Sequence, residues 1–361
     1  MTVNQAAADQ KREHEEKLPR RRRFSGPALF LAGITLILAA AVYFTTANRA
    51  AGEIFSYHHL AMDTGIELAL HAASRSEADA AKAKAFAEMA RLEQLLSRSI
   101  PASDVNRVNE AAGAAAVRVA PETIAVLEAA LKFASLSNGA FDPTVSPLLD
   151  RWGFLGKQPR VPAEAEIKET LPLVDYRQVA VDRAAGTVYL PVAGMGLDLG
   201  GIAKGYIVDQ ALARLADAGI QQAYLSAGGD IGLLGPRPDG SPWRIGIRHP
   251  REAGQLIGVL PLSGGAVVTS GDYERAFTVD GEHYHHILDP ATGLPASSLA
   301  SVTMVAPTAM EADALSTAVF VLGPERGLAL VESLPGVEAV LVTPDLEVLV
   351  STGLKDKLEL R

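Results

Sequence analysis

No cysteine occurs anywhere in the 361 residues. That absence excludes structural disulfides, thiolate zinc sites, a thiol nucleophile and a lipid-bearing cysteine. Repeats at solenoid spacing and long low-complexity linkers are missing as well. So is the regular strand–helix–strand alternation of a doubly wound parallel sheet. Charge vanishes from one stretch altogether: none lies between Phe24 and Asn48, directly after the run Arg20, Arg21, Arg22 and Arg23. What remains is ordinary globular composition, 48% hydrophobic and 21% charged, enough for a full-sized core.

The uncharged stretch, with its interior PALFLAGITLILAAAVYF, is long enough to cross a ~30 Å hydrocarbon core, which takes about 20 apolar residues. Arginines before it and an acidic remainder behind it place the N-terminus in the cytoplasm and the bulk outside, at the periplasmic side of a bacterial inner membrane. Two further readings also predict export. One is a cleaved signal peptide, given small residues at Ala47 and 50–52; the other is a twin-arginine signal, which RRRFSG partly matches. The expected organisation is a basic tail over 1–23, an anchor or signal over 24–48, and an exported domain over 54–361. Residues 1–23 carry a net +3, so the rest carries −12 against a total of −9. Such an acidic domain is a poor nucleic-acid partner, because that affinity comes from basic groups neutralising phosphates. Any phosphate site must be local or must borrow charge from a metal.

Along the chain, SRSEADAAKAKAFAEMARLEQLLSR has apolar residues at helical spacing and predicts a surface-packed helix. VAPETIAVLEAALKFASLSNGAFDP predicts another, with Pro121 near its start and Asn138-Gly139 as its stop. QVAVDRAAGTVYLP predicts a hairpin around Gly186. Short strands punctuated by glycine come next, in QQAYLSAGGDIGLLG, WRIGIRH, LIGVLPL, AVVTSGDYERAFTVDG and SVTMVAP. A helix over MEADALSTAVFVLG, a closing helix and final strands complete the pattern. Hairpin-like strands with helices inserted between them predict an α+β fold with a largely antiparallel sheet.

Five stretches can carry chemistry. LDLGGIAKGYIVDQ fails the P-loop pattern because its lysine precedes its glycine, and it fails G-x-G-x-x-G by spacing. Its glycines still allow close backbone approach, and a helix start offers free N–H groups to an anion. Lys204 would add a charge there and Asp198 an acceptor. The same residues also fit a plain strand-to-helix turn with Lys204 in water. In MEADALSTA, Asp313 and Thr317 are four apart and share a helix face. Their oxygens suit a hard cation such as Mg²⁺, although acids at a helix start also complement its dipole.

In HYHHILDPATG, His283 and His285 fall on one side of an extended segment and His286 on the other. A zinc site would lack a third ligand at suitable spacing, whereas one histidine can act as a general base. Asp289 fits a turn cap. NGAFDPTVSPLLDRWGF holds a stiff corner at Phe141-Asp142-Pro143 that can set a ring and an acid against a planar ligand, or simply pack. In AMDTGIEL, Met62 is a soft residue that can lie on a ring or in a core.

In this order, AMDTGIEL, GAFDPTVSPLLDRWGF, LDLGGIAKGYIVDQ, YLSAGGDI, VVTSGDYERAF, HHILDPATGLP and EADALSTAVFVLG resemble the ApbE family of bacterial flavin transferases, over residues 54–361. The resemblance implies a T-fold-like antiparallel sheet with flanking helices. It also implies FAD as substrate and a divalent cation, usually Mg²⁺. The implied reaction moves the FMN half of FAD onto a threonine or serine hydroxyl of an acceptor flavoprotein, with release of AMP. Met62, Ala140, Phe141, Asp142, Asp198, Lys204 and His285 match FAD-contacting positions. Gly201, through its carbonyl, and Asp313 and Thr317, through their side chains, match metal ligands. His286 matches the base.

The chain departs from the family in two positions and one absence. Asp63 stands where many members have glycine, and Ser99 stands where many have a ring-stacking tyrosine. Without a lipobox cysteine, anchoring would fall to the apolar span. By family analogy the acceptors are exported domains of membrane electron-transfer flavoproteins, such as ion-pumping quinone reductases or the membrane regulator of nitrous oxide respiration. Two other activities fit the same residues: an FAD pyrophosphatase with water as nucleophile, and a non-catalytic FAD-binding protein.

Overall fold

A computed structural model of the chain describes residues 52–154 and 158–361. The expected basic tail and membrane span lie outside the described residues. Glu53–Arg361 form one compact unit.

Eight strands make the main sheet: Glu53–Ala61, Thr64–Ala72, Ala223–Ala227, Asp230–Leu234, Gly265–Gly271, Ser301–Ala306, Glu338–Val342 and Val348–Val350. They lie side by side in chain order, and every neighbouring pair is antiparallel. The fold is therefore α+β with a large antiparallel sheet, as the hairpin-rich sequence predicts. The helices are insertions between sheet neighbours: α1 (Arg75–Leu96), α2 (Asp104–Glu110), α3 (Pro121–Leu136), α4 (Ser146–Trp152), α5 (Glu164–Thr170), α6 (Ala203–Asp217) and α7 (Ala309–Glu332).

Side chains alternate across the strands, as a period of two requires. Ile66, Leu68, Leu225, Val268, Met304 and Leu341 face the helix layer and form the main core with α1, α3, α6 and α7. Val340 and Val342 face the other way. There a second sheet, of Trp243–Arg248, Leu256–Leu262 and Glu359–Leu360, covers one end of the main one. The predicted hairpin forms from Ala180–Asp182 and Thr187–Tyr189, with Val117–Arg118 added as a third strand.

Local chemistry explains the helix limits. Ser74 accepts from the Glu77 N–H and starts α1. Pro121 occupies the first turn of α3, where its missing N–H is no loss. Asn138 and Gly139, at φ 52° and 82°, end the segment in left-handed backbone. Within α7, Gly323 (φ 79°) breaks the helical path just before Pro324, so the predicted stop after VFVLG is a kink between two helical halves. That helix has a mean hydropathy of 1.3 over its most apolar 18 residues. Its Ala312, Ala314, Leu315, Ala318, Val319 and Phe320 are buried, which makes it the central core helix of the domain.

The crossing of α6 and α7 brings two distant stretches of chain into contact. A Cβ on Gly205 would lie 2.2 Å from the Ala309 carbonyl oxygen, so only glycine allows the helices this close. One turn later Asp209 accepts from Ala309 N at 2.8 Å and Met310 N at 2.9 Å. A carboxylate from α6 thus satisfies the free N–H groups that start α7.

Candidate active site

At the end of the sheet marked by the Met62-Asp63 and Gly228-Gly229 turns, a cleft of about 330 Å³ opens. Its walls include Met62, Ala140, Phe141, Asp142, Asp198, Gly201, Lys204, His286, Asp313 and Thr317. Every site residue predicted from sequence except His285 lines this one space, although the stretches that carry them are far apart in the chain.

The glycine loop is built as a tight turn. Asn109 of α2 grips its entrance, with Nδ2 donating to Leu197 O at 2.9 Å and Oδ1 accepting from Leu197 N at 2.6 Å. Asp198 N donates to Pro143 O at 2.7 Å, and Asp198 Oδ1 accepts from Gly200 N at 2.7 Å. At Gly201 an added Cβ would lie 3.1 Å from Thr317 Oγ1 and 3.2 Å from the Phe141 ring. The missing side chain lets the loop backbone lie directly against α7. The start of α6 is not free for an anion along its whole first turn, because Gly205 N donates to Asp313 Oδ2 at 3.1 Å.

Asp313 and Thr317 share the cleft-facing side of α7, as their spacing predicts. Asp313 is buried, and burial first, then the neighbouring Asp230 carboxyl, pushes its pKa up to about 8. Lys204 is not the solvated lysine of a plain turn. Its Nζ lies 2.9 Å from Asp230 Oδ1. Burial opposes its charge, but Asp230 and Asp313 outweigh that and hold it above the ordinary lysine value.

Asp230 is 1% exposed. Burial raises its pKa against the pull of Lys204, and its Oδ2 has no hydrogen-bond partner. Two buried carboxyls, one of them with an unsatisfied oxygen, a hydroxyl and a close-packed glycine loop are hard oxygen donors short of positive charge. That is the chemistry a divalent cation answers. Among the described residues no three of His, Cys, Asp and Glu gather as a cation cage. A cation held here would therefore need a mixed donor set of carboxyl, hydroxyl and main-chain oxygens.

On the opposite wall the segment from Asp272 to Pro290 carries the histidines. Its hairpin, Ala276–Val279 with Glu282–His285, packs through Phe277 and Tyr284 on Trp152 and Phe154. Trp152 also donates from Nε1 to Gly293 O at 2.8 Å, which pins the turn of DPATG. His286 Nδ1 lies 3.1 Å from the Glu274 carbonyl oxygen. A carbonyl can only accept, so Nδ1 carries the proton and Nε2 keeps its lone pair. Burial first, then Arg275, lowers the His286 pKa to about 3. This imidazole is therefore neutral, with the Nε2 lone pair unprotonated.

His285 is the exception among the expected contacts. Its Nε2 donates to Ala296 O at 2.8 Å, its Nδ1 accepts from Ile287 N at 3.3 Å, and its ring sits edge-on to Phe320. Both nitrogens are occupied behind the wall, so the side chain does not reach the cleft. His283, beside it, points Nε2 at Asp272 O, 2.9 Å away. Asp142 lines the cleft, but its carboxylate serves the loop, accepting from Thr144 N, Thr144 Oγ1 and Tyr176 N. Met62 and Asp63 form a turn with φ 53° and 56°, and Met62 N donates to Glu93 at 3.0 Å.

Sequence reasoning did not single out Asp230, Asp209, Glu274 or Arg275. The available signal was an acid inside an otherwise apolar run, as in AYLSAGGDIGLLG for Asp230 and GYIVDQAL for Asp209. Charge in such runs is buried and needs a partner.

The sequence profile of the ApbE family matches residues 62–341. The chain belongs to the ApbE family. It is 39% identical over 298 residues to a Treponema pallidum protein named FAD:protein FMN transferase, covering 78% of this chain and 82% of that one. A Klebsiella pneumoniae protein of the same name is 34% identical over 304 residues, covering 83% and 92%. Among solved structures, the ApbE protein of Thermotoga maritima superposes with a TM-score of 0.78 at 37% identity, covering 84% of this chain and 99% of that one. The apo flavinyl transferase ApbE of Pseudomonas stutzeri gives 0.76 at 32% identity, covering 85% and 97%.

Proposed function

We propose that this ApbE-family chain is a transferase that moves the FMN half of FAD onto a threonine or serine hydroxyl of an acceptor flavoprotein and releases AMP. The observation that carries the reading is the convergence on one cleft of Gly201, Asp313, Thr317 and His286, one ligating wall facing one base. The names of the related proteins support the same activity.

In the reaction, the acceptor hydroxyl oxygen bonds to the phosphorus on the FMN side and the bond from that phosphorus to the AMP oxygen breaks. His286 Nε2 takes the hydroxyl proton, and a positioned base contributes about 10²–10⁴-fold. AMP leaves as a stable anion, so no strong acid is required. Asp313, Thr317 and the Gly201 carbonyl would hold Mg²⁺, which supplies charge neutralisation at the diphosphate oxygens. Phe141, held by the Ser137 cap through its N–H, and Met62 offer apolar surface for a ring.

The chain acts outside the cytoplasm in this proposal, held at the inner membrane by the apolar stretch 24–48. The test is incubation with FAD, Mg²⁺ and an acceptor domain, followed by mass spectrometry. A covalent FMN adduct on the acceptor, with AMP in equal amount, is expected. Free FMN in place of the adduct would turn the reading to pyrophosphatase, and no turnover at all would turn it to flavin binding alone.

A further inference from the structure

The cleft holds two cations that differ in one respect. Lys204 is committed within the protein, 2.9 Å from Asp230 and drawn also by Asp313. Arg275 lines both the main cleft and a smaller adjoining cavity of about 110 Å³. The acids beside it in sequence are engaged elsewhere. Asp272 binds Arg251 at 2.7 Å and Glu274 lies 3.6 Å from Arg248. Among the described residues no carboxylate pairs with the Arg275 guanidinium.

Its backbone has φ 42°, a left-handed conformation that disfavours any residue with a Cβ. The Arg275 charge also works against the charge on Lys204 and against protonation of His286. An unpaired guanidinium, held in strained backbone beside another cation, is a group that an anion would satisfy. Its forked donors match phosphate oxygens in pairs.

We propose that Arg275 is a further catalytic residue, the clamp on the diphosphate of the nucleotide substrate, while Lys204 stays paired with the Asp230 carboxylate. The assignment rests on the FAD reading of the cleft, and it adds a residue from the hairpin wall to the phosphate contacts.

The experiment measures equilibrium binding of FAD, ADP and riboflavin, with Mg²⁺, to the parent chain and to Arg275→Gln, Arg275→Lys and Arg275→Gly. FAD and riboflavin are read by flavin fluorescence and ADP by competition. Arg275→Gln and Arg275→Gly are expected to weaken FAD and ADP about tenfold or more and to leave riboflavin, which has no phosphate, within about twofold. Arg275→Lys should recover part of the loss. Arg275→Gly accepts the left-handed backbone, so it should melt at or above the parent temperature, and the loss cannot then be ascribed to unfolding.

Unchanged FAD and ADP affinities would overturn the assignment. So would a parallel loss for riboflavin, or a loss confined to the KM for the acceptor. If the binding pattern is as expected but no flavin reaches an acceptor, the transfer reading fails and the Arg275 clamp stands. If flavin transfer proceeds while the affinities do not move, the clamp alone falls.

Discussion

The two walls of the cleft are made differently. On the helix wall, Asp230 and Asp313 are almost fully buried and lean on α6 and α7, whose crossing is fixed by Gly205. On the hairpin wall, Glu274 and Arg275 are exposed and His286 is half-buried, and the hairpin rests on an aromatic ladder. Charge on the helix wall is therefore set by internal partners and desolvation, and changing it moves both stability and chemistry. Charge on the hairpin wall has few internal partners, so changing it should move chemistry alone.

The sharpest break in this contrast is Asp313→Asn. Activity should fall on the order of a thousandfold, since a ligand of the proposed cation is lost and such neutralisation contributes several kcal/mol. In the absence of divalent cation the same variant should melt at or above the parent temperature. The amide oxygen can still accept from Gly205 N, and a buried acid beside Asp230 is gone. Steady-state kinetics and a thermal melt check the two halves, and a lower melting temperature would contradict the account of that wall.

His286→Gln is the matching change on the other side. Turnover should fall about a hundredfold, at the lower end for a general base, with the melting temperature unmoved. A melt shifted by several degrees would mean that the hairpin wall is as structural as the helix wall.

Gly205→Ala should destabilise the fold by about 1–3 kcal/mol or more, because the methyl meets main chain that cannot give way. Chemical denaturation reads it directly, and an unaltered midpoint would refute the close crossing.

pH offers a finer probe. Without cation the Asp313 carboxyl keeps its proton up to about 8, against an ordinary carboxylate value of 3.8. The folded state thus binds more protons than the unfolded one between those values, and cation-free stability should fall as pH rises through that window. A ligating carboxylate must lose the proton, so apparent Mg²⁺ affinity should strengthen as pH rises towards 8, by up to about tenfold per unit. His286, already neutral well below pH 6, should add no step between pH 6 and 8. Calorimetric Mg²⁺ titrations across that range test both points.

The smallest effect is expected at Asp63, whose φ of 56° glycine adopts without strain. Asp63→Gly should stabilise by about 0.5 kcal/mol, the difference between left-handed strain and the added backbone entropy. A denaturant midpoint lower than the parent's would show that the Asp63 side chain contributes more than its backbone costs.

Much of this was legible in the sequence, for a physical reason. Helix ends such as Pro121 and Asn138-Gly139 are local events, decided by backbone chemistry within a few residues. The four-residue spacing of Asp313 and Thr317 sets a shared face wherever the helix lies. Alternation likewise put His283 and His285 on one side of their strand, and their rings lie 6.2 Å apart. Which side would meet the cleft was not local. It depends on Phe320 and Ala296 closing over His285, and on Glu274 O turning His286 outward. The Lys204–Asp230 pair was hidden for the same reason, since nothing near Lys204 in sequence announces an acid on a strand beyond the end of its helix.

Gly205 has a consequence in time as well as in space. The loop with Gly201 and the helix with Asp313 and Thr317 are separated by several strands of chain, and their meeting closes a long loop at an entropic cost. Folds that depend on contacts of that range fold more slowly than folds built from local ones. A chain that has not yet docked α6 onto α7 therefore holds neither the proposed cation site nor the proposed nucleotide cleft around it. Reactivity toward the nucleotide would be withheld until the domain is complete, and an unfinished chain would leave its substrate untouched.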